Sequence, residues 1–160
     1  MSINRLELAQ IVARFVHCGQ KHGERSYYEH LRDVHSVLAR FGHNDEDLHV
    51  AAYLHDSIED KHIKAGLIED YFGTKVAKMV ERVSKETGMT RRESNLKTLP
   101  KIAQCPEATL LKLADRIANV ECDGTKKDMY REEQDHFKGV LHVRGQYTNM
   151  WKHLDKLLAP

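Results

Sequence analysis

The sequence predicts an all-α fold, a bundle of about eight helices that forms one domain over residues 1–160. Apolar residues recur at intervals of three and four along nearly the whole chain, which is the period of an amphipathic helix. Only three prolines interrupt the 160 residues, and the apolar–polar alternation of β-strands is rare. The glycine-containing breaks are short, as in connections between neighbouring helices of a bundle, and they fall at 19–26, 42–46, 87–94 and 123–126.

Each predicted helix has its own apolar stripe. In chain order the stripes comprise Leu8, Ile11, Val12 and Phe15; Leu31, Val34, Val37, Leu38 and Phe41; Leu48, Ala51, Ala52 and His55; Leu67, Ile68 and Tyr71; Val76, Met79, Val80 and Val83; Leu110, Leu111, Leu113, Ala114, Ile117, Ala118 and Val120; and Trp151, Leu154 and Leu158. Asn44 or Asp45 is the expected N-cap of the third stripe's helix, and Gly73 is expected to end the fourth. The longest polar stretch, residues 85–95, predicts a mobile loop.

Composition and charge exclude several classes of protein. With 41% hydrophobic and 31% charged residues, the chain has the composition of a globular domain. A net charge of +1 argues against strong non-specific binding to nucleic acid or to an anionic membrane. The sequence has no apolar run of membrane-spanning length and no secretory signal pattern, and its three cysteines are scattered. We therefore expect a cytoplasmic protein without a membrane span or a stable nucleic-acid complex.

Three polar residues lie on apolar faces. Asp115 sits in the most apolar predicted helix, His55 continues the third stripe, and His30 begins the second. Each has an ordinary explanation when taken alone: an ion pair or a helix cap for Asp115, and a satisfied core histidine for His30 and His55. Together with Asp56 they form a set of two imidazoles and two carboxylates, which would suit manganese, iron or zinc. Such a set leaves positions open for water and a substrate oxygen.

Two more carboxylates follow at once. On a continuous helix, Glu59 would lie one turn from His55 and Asp56, and Asp60 one turn from Asp56. Three carboxylates within little more than one turn repel one another. A bound dication would relieve that repulsion, and so would an acidic helix end exposed to solvent, so both explanations stay open.

Five segments carry recognisable patterns: residues 17–20 (HCGQ), 27–30 (YYEH), 51–60 (AAYLHDSIED), 71–77 (YFGTKVA) and 111–119 (LKLADRIAN). In this order they resemble the H-x-G-Q, Y-x-x-H-P, A-A-x-L-H-D-x-x-E-D, F-G-x-x-V-A and K-L-A-D-R-x-x-N motifs of the HD-domain hydrolases. Within that family the likeness is to the small alarmone hydrolases of the RelA/SpoT homologue group. A bare His-Asp pair would be a weak signal, whereas the extended pattern is specific.

The resemblance implies an all-α HD domain, a divalent metal that is usually manganese, and a reaction. That reaction is removal of the 3′-pyrophosphate from guanosine tetra- or pentaphosphate, which gives GDP or GTP. The metal ligands implied are His30, His55, Asp56 and Asp115. Glu59 and Asp60 would orient or deprotonate the attacking water, and Asn119 would contact the nucleotide sugar or support the metal ligands.

The sequence departs from the family pattern where the substrate would bind. Leu31 replaces the proline after the metal histidine, and the basic segment that normally meets the guanine or its phosphates is altered. Lys21 and Arg25 are the candidates that remain in that segment. The stretch 85–97 adds candidate phosphate-binding cations, of which we single out Lys85 and Arg92, with Arg91 and Lys97 as further possibilities; a solvated basic loop is the alternative. Tyr130 or Tyr147 is a candidate for stacking on a base, with ordinary packing as the alternative for both.

Other functions fit the same motifs. The substrate could be another phosphorylated nucleotide, including NADPH or a pyrophosphorylated tRNA end, or a nucleotide of the HD nucleotidases. A non-enzymatic module that binds a nucleotide or a protein is a third possibility. The intact Glu59-Asp60 pair argues against a module that only binds, because such a module has no need to activate water. The oligomeric state is not readable from the sequence.

Overall fold

A computed structural model describes residues 3–61 and 63–160; residues 1, 2 and 62, which the predicted domain span also includes, lie outside the described part. Over these two ranges the chain forms ten α-helices, one 3₁₀ turn and one short hairpin. The elements are α1 (Arg5–Val16), β1 (Lys21–His22), β2 (Arg25–Ser26), α2 (Tyr27–Arg40), α3 (Glu46–Leu54), α4 (Ser57–Lys61), α5 (Ala65–Phe72), α6 (Thr74–Val83), α7 (Arg91–Ala103), α8 (Pro106–Cys122), a 3₁₀ turn (Gly124–Lys126), α9 (Lys127–Leu141) and α10 (Thr148–Leu158). The all-α prediction is confirmed.

Local sequence signals set several helix ends. Asp45 is the N-cap of α3, where its side chain accepts a hydrogen bond from the backbone N–H of Leu48. Gly73 ends α5 with φ at +92°, a conformation that L side chains rarely adopt. Both ends are those predicted. The break at 19–26 contains more than a loop, since β1 and β2 pair antiparallel there with Lys21 opposite Ser26.

Helix α8 lies at the centre of the bundle. It packs against α2, α6, α7 and α10, and eleven of its seventeen residues are buried. Leu111, Leu113, Ala114 and Ile117 are fully buried. A helix that is covered on most sides reads as apolar around most of its circumference, which is the pattern seen in the sequence. The charged side chains of Asp115 and Arg116, in the middle of α8, are therefore surrounded by protein.

Helix α1 turns a different face to the core than its apolar stripe suggests. Ala9 and Ala13 are fully buried, whereas Ile11 is 51% exposed and Phe15 is 82% exposed. Helix α1 packs against α3, and the small alanine side chains allow the two backbones to approach closely. The large apolar residues of α1 are thus only partly covered, over the described residues.

The predicted mobile loop is shorter than expected. Helix α7 already begins at Arg91, and the prediction of a loop over 85–95 is wrong for its second half. The cause is a capping box: the Thr90 side chain accepts from the backbone N–H of Glu93, whose carboxylate accepts from the backbone N–H of Thr90. In the described part of the chain, every helix falls short of the length and apolar character that a membrane span requires.

Candidate metal centre

Three parts of the fold bring histidine and aspartate side chains to one buried point. His30 comes from α2, His55 and Asp56 form the turn between α3 and α4, and Asp115 comes from the middle of α8. His30 and His55 are each 2% exposed, and Asp115 is 7% exposed. The apolar stripes on which the two histidines lie carry them into the interior.

The donor atoms converge closely. One ligand atom from each of His30, His55 and Asp56 lies within 4.8 Å of the other two. Asp115 adds a fourth donor, since its Oδ1 lies 3.2 Å from His30 Nε2 and 3.6 Å from His55 Nε2. Two imidazole nitrogens and two carboxylates around one point are a donor set suited to a divalent transition metal.

The orientation of His55 fits this use. Its Nδ1–H donates to the carbonyl of Ala52 at 2.8 Å, so in the neutral imidazole Nε2 carries the lone pair that a metal would use. Asp56 Oδ2 lies 2.9 Å from Nε2, yet Nε2 makes no hydrogen bond to any described residue. A buried nitrogen without a hydrogen-bond partner needs explanation, and a cation at the convergence point would supply the missing partner. The residues present therefore fit a divalent metal.

Neighbouring side chains hold the two carboxylates in place. Lys112 donates to Asp115 Oδ2 at 2.7 Å, and the amide of Asn119 donates to Asp115 Oδ1 at 2.8 Å. Burial acts to raise the pKa of Asp115, but the Lys112 charge and the two histidines hold that pKa well below its usual range. The Tyr27 hydroxyl donates to Asp56 Oδ2 at 2.5 Å. Both carboxylates are therefore ionised and oriented.

The His-Asp pair lies in a turn between two helices, so the continuous helix considered for residues 55–60 is interrupted. Helix α3 ends at Leu54 and α4 begins at Ser57, with His55 and Asp56 in the turn between them. The backbone N–H of Asp60 nevertheless donates to the carbonyl of Asp56 at 2.9 Å, which joins the turn to α4.

Glu59 and Asp60 line the same cavity as three of the four donors, His30, Asp56 and Asp115. Glu59 Oε2 accepts from the backbone N–H of Lys85 at 3.1 Å, and Asp60 Oδ2 accepts from the amide of Gln20 at 2.9 Å. Burial, together with the charge of Asp56, raises the pKa of Glu59. A carboxylate with a raised pKa beside a metal centre is better able to accept a proton from water near neutral pH.

The cavity has a volume of about 210 Å³ and a cationic wall. The basic side chains that line it are Lys85, Arg91, Lys112, Arg116 and Lys126. The repulsion of Lys112 and partial burial lower the pKa of Lys85. Like charges that face one cavity repel each other, and a bound anion would relieve that repulsion. The donor set at one end of the cavity thus suits a cation, and the basic side chains of the wall suit an anion.

The predicted substrate-binding residues divide into two groups. Lys85 and Asn119 line the cavity, as does Tyr130. The described cavity lining does not include Lys21, Arg25, Arg92 or Tyr147. Arg25 pairs with Asp33 at 2.6 Å, and Lys21 and Arg92 are exposed. Arg92 lies outside the cavity because residues 91–95 are helical. Adjacent positions of a helix face about 100° apart, and here Arg91 faces the cavity.

Sequence reasoning missed Lys112 and Arg116 as cavity residues. Both flank Asp115 within the K-L-A-D-R motif, three positions before it and one position after it, so the signal was available in the motif itself. His22 and Lys126 also line the cavity, and they come from the hairpin and the 3₁₀ turn. For these two, no helical periodicity could have indicated which way the side chain points.

The fold and the site define a class of protein, an all-α protein with a buried centre of two histidines and two aspartates that suits a divalent metal. Residues 9–140 match the model of the HD domain family, and the chain belongs to that family. The match covers the hairpin, all four donors and all of the described cavity lining.

Individual relatives give the comparison more detail. The chain is 31% identical over 144 residues to the guanosine-3′,5′-bis(diphosphate) 3′-pyrophosphohydrolase of Aquifex aeolicus, an alignment that covers 81% of this chain and 20% of the relative. It is 33% identical over 156 residues to the bifunctional (p)ppGpp synthase/hydrolase SpoT of Escherichia coli, with 89% and 22% covered. The chain thus spans about a fifth of the length of these curated relatives.

A solved structure agrees on the fold. A metazoan ortholog of SpoT, described as hydrolysing ppGpp, superimposes with a TM-score of 0.84 over 98% of this chain and 95% of that one, at 24% identity. At this level of identity the agreement concerns the fold. The two chains therefore share one arrangement of helices.

Proposed function

We propose that this chain is a divalent-metal-dependent phosphohydrolase that removes the 3′-pyrophosphate from (p)ppGpp and yields GDP or GTP. The observation that carries the proposal is that the His30–His55–Asp56–Asp115 donor set lies at a cavity with a basic wall, and that all of these donors except His55 line that cavity. A pyrophosphate ester needs both features, one for the reacting phosphorus and one for the charge of the group that leaves. The names of the relatives support the choice of guanosine pyrophosphates among such esters.

In this proposal His30, His55, Asp56 and Asp115 are the metal ligands. When bound, a divalent metal would lower the pKa of a coordinated water and polarise a phosphoryl oxygen. The mixed nitrogen and oxygen donors suit manganese, which we propose as the metal.

Glu59 is the proposed base. It lines the cavity, it is largely buried, and its pKa is raised, so it can take a proton from the attacking water. Asp60 is the proposed orienting residue, because the amide of Gln20 holds its Oδ2 and His17 Nδ1 lies 2.8 Å from the carbonyl oxygen of the same amide. This chain of contacts restricts the side-chain rotamer of Asp60 and so restricts where a water bound to it can lie.

The cationic wall is the proposed site for the phosphate groups. The cavity that His30, Asp56 and Asp115 line is also lined by four basic side chains, Lys85, Arg91, Lys112 and Lys126. Asn119 lines the cavity too, although its amide already donates to the backbone and the side chain of Asp115, which favours a supporting role over a direct contact with the sugar. We place no substrate contact on Lys21, Arg25 or Arg92 from their positions.

The proposal also covers location and partners. A small nucleotide is the proposed partner, and the cytoplasm is the proposed location. All three cysteines lie within the described residues as free thiols, which suits a reducing compartment.

A nucleotide panel tests the activity. Protein loaded with Mn²⁺ is offered ppGpp, pppGpp, NADPH, pyrophosphorylated tRNA and deoxynucleoside triphosphates, and the released pyrophosphate and phosphate are measured separately. We expect pyrophosphate from the guanosine compounds, and less of it when Mn²⁺ is replaced by Mg²⁺. Release of single phosphates, or activity only on the other substrates, would reject the proposal in favour of another phosphohydrolase activity. Tight binding of ppGpp without turnover would favour a non-enzymatic module.

A matched pair of variants tests the metal assignment. His55→Gln should lose bound metal and activity together. His49→Gln is the control, because His49 is also a buried histidine at 7% exposure on α3, yet it pairs with His35 away from the centre. Metal content is read by elemental analysis, and full metal occupancy in the His55 variant would contradict the assignment.

A further inference from the structure

Glu133 on α9 lies where three helices meet behind the cationic wall. Its carboxylate accepts from Arg91 of α7, with Nε at 2.5 Å and Nη2 at 3.0 Å. The amide of Asn95 donates to it at 3.2 Å, and Arg116 Nη1 of α8 lies 3.0 Å away. All three partners line the cavity, while Glu133 is absent from the described lining. One carboxylate outside the cavity lining thus contacts three residues that line the cavity.

The two arginines differ in how firmly other contacts hold them. The Arg116 side chain is only 3% exposed, and its guanidinium lies over the rings of Tyr130 at 4.6 Å and Phe137 at 4.2 Å. The Arg91 side chain is 40% exposed and touches one ring at a longer distance, 5.4 Å from Tyr130. The two-pronged hydrogen bond to Glu133 is therefore the main constraint on Arg91.

The charges at this junction also favour a role in anion binding. Two guanidinium groups share one carboxylate, so the group keeps a net positive charge beside the cavity. The two arginines repel each other, and the carboxylate between them offsets that repulsion. If the carboxylate became neutral, Arg116 would stay in its aromatic pocket and Arg91 would be pushed toward solvent.

We propose that Glu133 is a positioning residue, which holds the Arg91 guanidinium at the cavity wall so that it binds a phosphate group of the substrate. The proposal rests on the proposed function for the class of substrate, an ester with a pyrophosphate group. Glu133 acts through Arg91 and does not touch the reacting atoms. The metal donors come from α2, the α3–α4 turn and α8, so a change at Glu133 on α9 should alter anion binding and leave the reacting centre in place.

The test measures binding of inorganic pyrophosphate to the full chain loaded with Mn²⁺, by isothermal titration calorimetry. The variants are Glu133→Gln, Arg91→Ala, the double variant, and Glu133→Asp, which keeps the charge on a shorter side chain. Glu121→Gln is the matched control, because Glu121 binds Arg40 through both oxygens at 2.5 and 2.6 Å and lies outside the cavity. Metal content and thermal stability are measured for each variant.

We expect Glu133→Gln and Arg91→Ala each to raise the Kd for pyrophosphate roughly tenfold, which is the scale of one lost charge-assisted hydrogen bond. The double variant should be no weaker than Arg91→Ala alone, because the two residues act as a unit. Glu133→Asp should recover most of the affinity, and Glu121→Gln should match wild type. With ppGpp as substrate, the change should appear in KM, with kcat within about twofold.

Several outcomes would overturn the proposal. The first is an unchanged Kd for pyrophosphate in Glu133→Gln. The second is a double variant whose Kd rises above that of Arg91→Ala by the same factor by which Glu133→Gln alone raises the wild-type Kd. The third is a lack of pyrophosphate binding by the wild-type protein. Loss of metal from Glu133→Gln would assign it a structural role at the centre instead. If the wild type binds pyrophosphate but hydrolyses no guanosine pyrophosphate, the proposed function fails, and the binding series still decides the role of Glu133.

Discussion

The hydroxyl of Tyr27 offers a direct test of how the metal donors are held. It donates to Asp56 Oδ2 at 2.5 Å, and its ring stacks on His17 with centroids 4.7 Å apart. Tyr27→Phe keeps the ring and its stacking, and it removes only the hydroxyl. The substitution therefore isolates one hydrogen bond to a proposed metal ligand.

The expected magnitude follows from that bond. A hydrogen bond to a charged group contributes about 1.5–3 kcal/mol, and each 1.4 kcal/mol is roughly a factor of ten in an equilibrium constant. Loss of an outer-shell partner typically lowers metal affinity by about 10–100-fold. We expect Tyr27→Phe to weaken Mn²⁺ binding by roughly 10–100-fold.

The assay is calorimetric titration of metal-free protein with Mn²⁺ near neutral pH. Tyr28→Phe is the control, because Tyr28 is the adjacent residue of α2 and stacks on Tyr53 with centroids 5.8 Å apart, away from the donors. A Tyr27→Phe affinity within about threefold of the Tyr28→Phe value would refute the idea that this hydroxyl orients Asp56.

Three further predictions follow from the described contacts. Glu59→Gln should lower kcat by about 10²–10⁴-fold while metal content stays at the wild-type level, and loss of metal would count against a role as base. Burial lowers the pKa of both His35 and His49, and the charge of His49 lowers the pKa of His35 further. Both histidines therefore favour the neutral form in the folded state, and the protein loses stability as the pH falls below about 6.5, where the unfolded chain takes up these protons first. Urea unfolding at pH 7.5 and 5.5 should therefore show a smaller loss of stability for His49→Gln than for wild type, and equal losses would contradict the assignment. Gly73→Ala should lower the free energy of unfolding by about 1–2 kcal/mol, because a Cβ there meets open space but the φ of +92° is strained for alanine. Gly66→Ala within α5 should raise the free energy of unfolding by about 0.5–1 kcal/mol, because alanine favours the helix more than glycine does. The same urea assay compares the two variants, and changes of equal sign would contradict the backbone explanation.

The sequence predicted the fold class from the period of its apolar residues. It placed the N-cap of α3 at Asn44 or Asp45, of which Asp45 is the cap, and the end of α5 at Gly73, because caps and glycine ends depend on the residue itself and its immediate neighbours. Periodicity was a poorer guide at the surface. It does not say which apolar side chains find a partner, and Phe15 of α1 remains largely exposed.

The metal donors could be proposed from the sequence because a buried polar residue interrupts an apolar stripe in each case. His30, His55 and Asp115 lie 85 positions apart at their extremes, yet each is marked by its own local pattern. The motif resemblance then put them in one site. The turn at His55-Asp56 was not visible, since helix propensity alone would have continued α3 into α4.

What the sequence determined by itself was the helical class of the fold, some of the helix ends and the chemistry of the polar residues that interrupt the apolar stripes, because these depend on interactions between near neighbours along the chain. The tertiary structure decided which cations share a cavity with the metal donors. Arg91 lines the cavity and Arg92 does not, and Lys112 and Lys126 reach it from α8 and the 3₁₀ turn. Those choices depend on how α7, α8 and α9 rotate and pack against one another, and that rotation is set by contacts between residues far apart in the chain, such as the bond between Arg91 and Glu133.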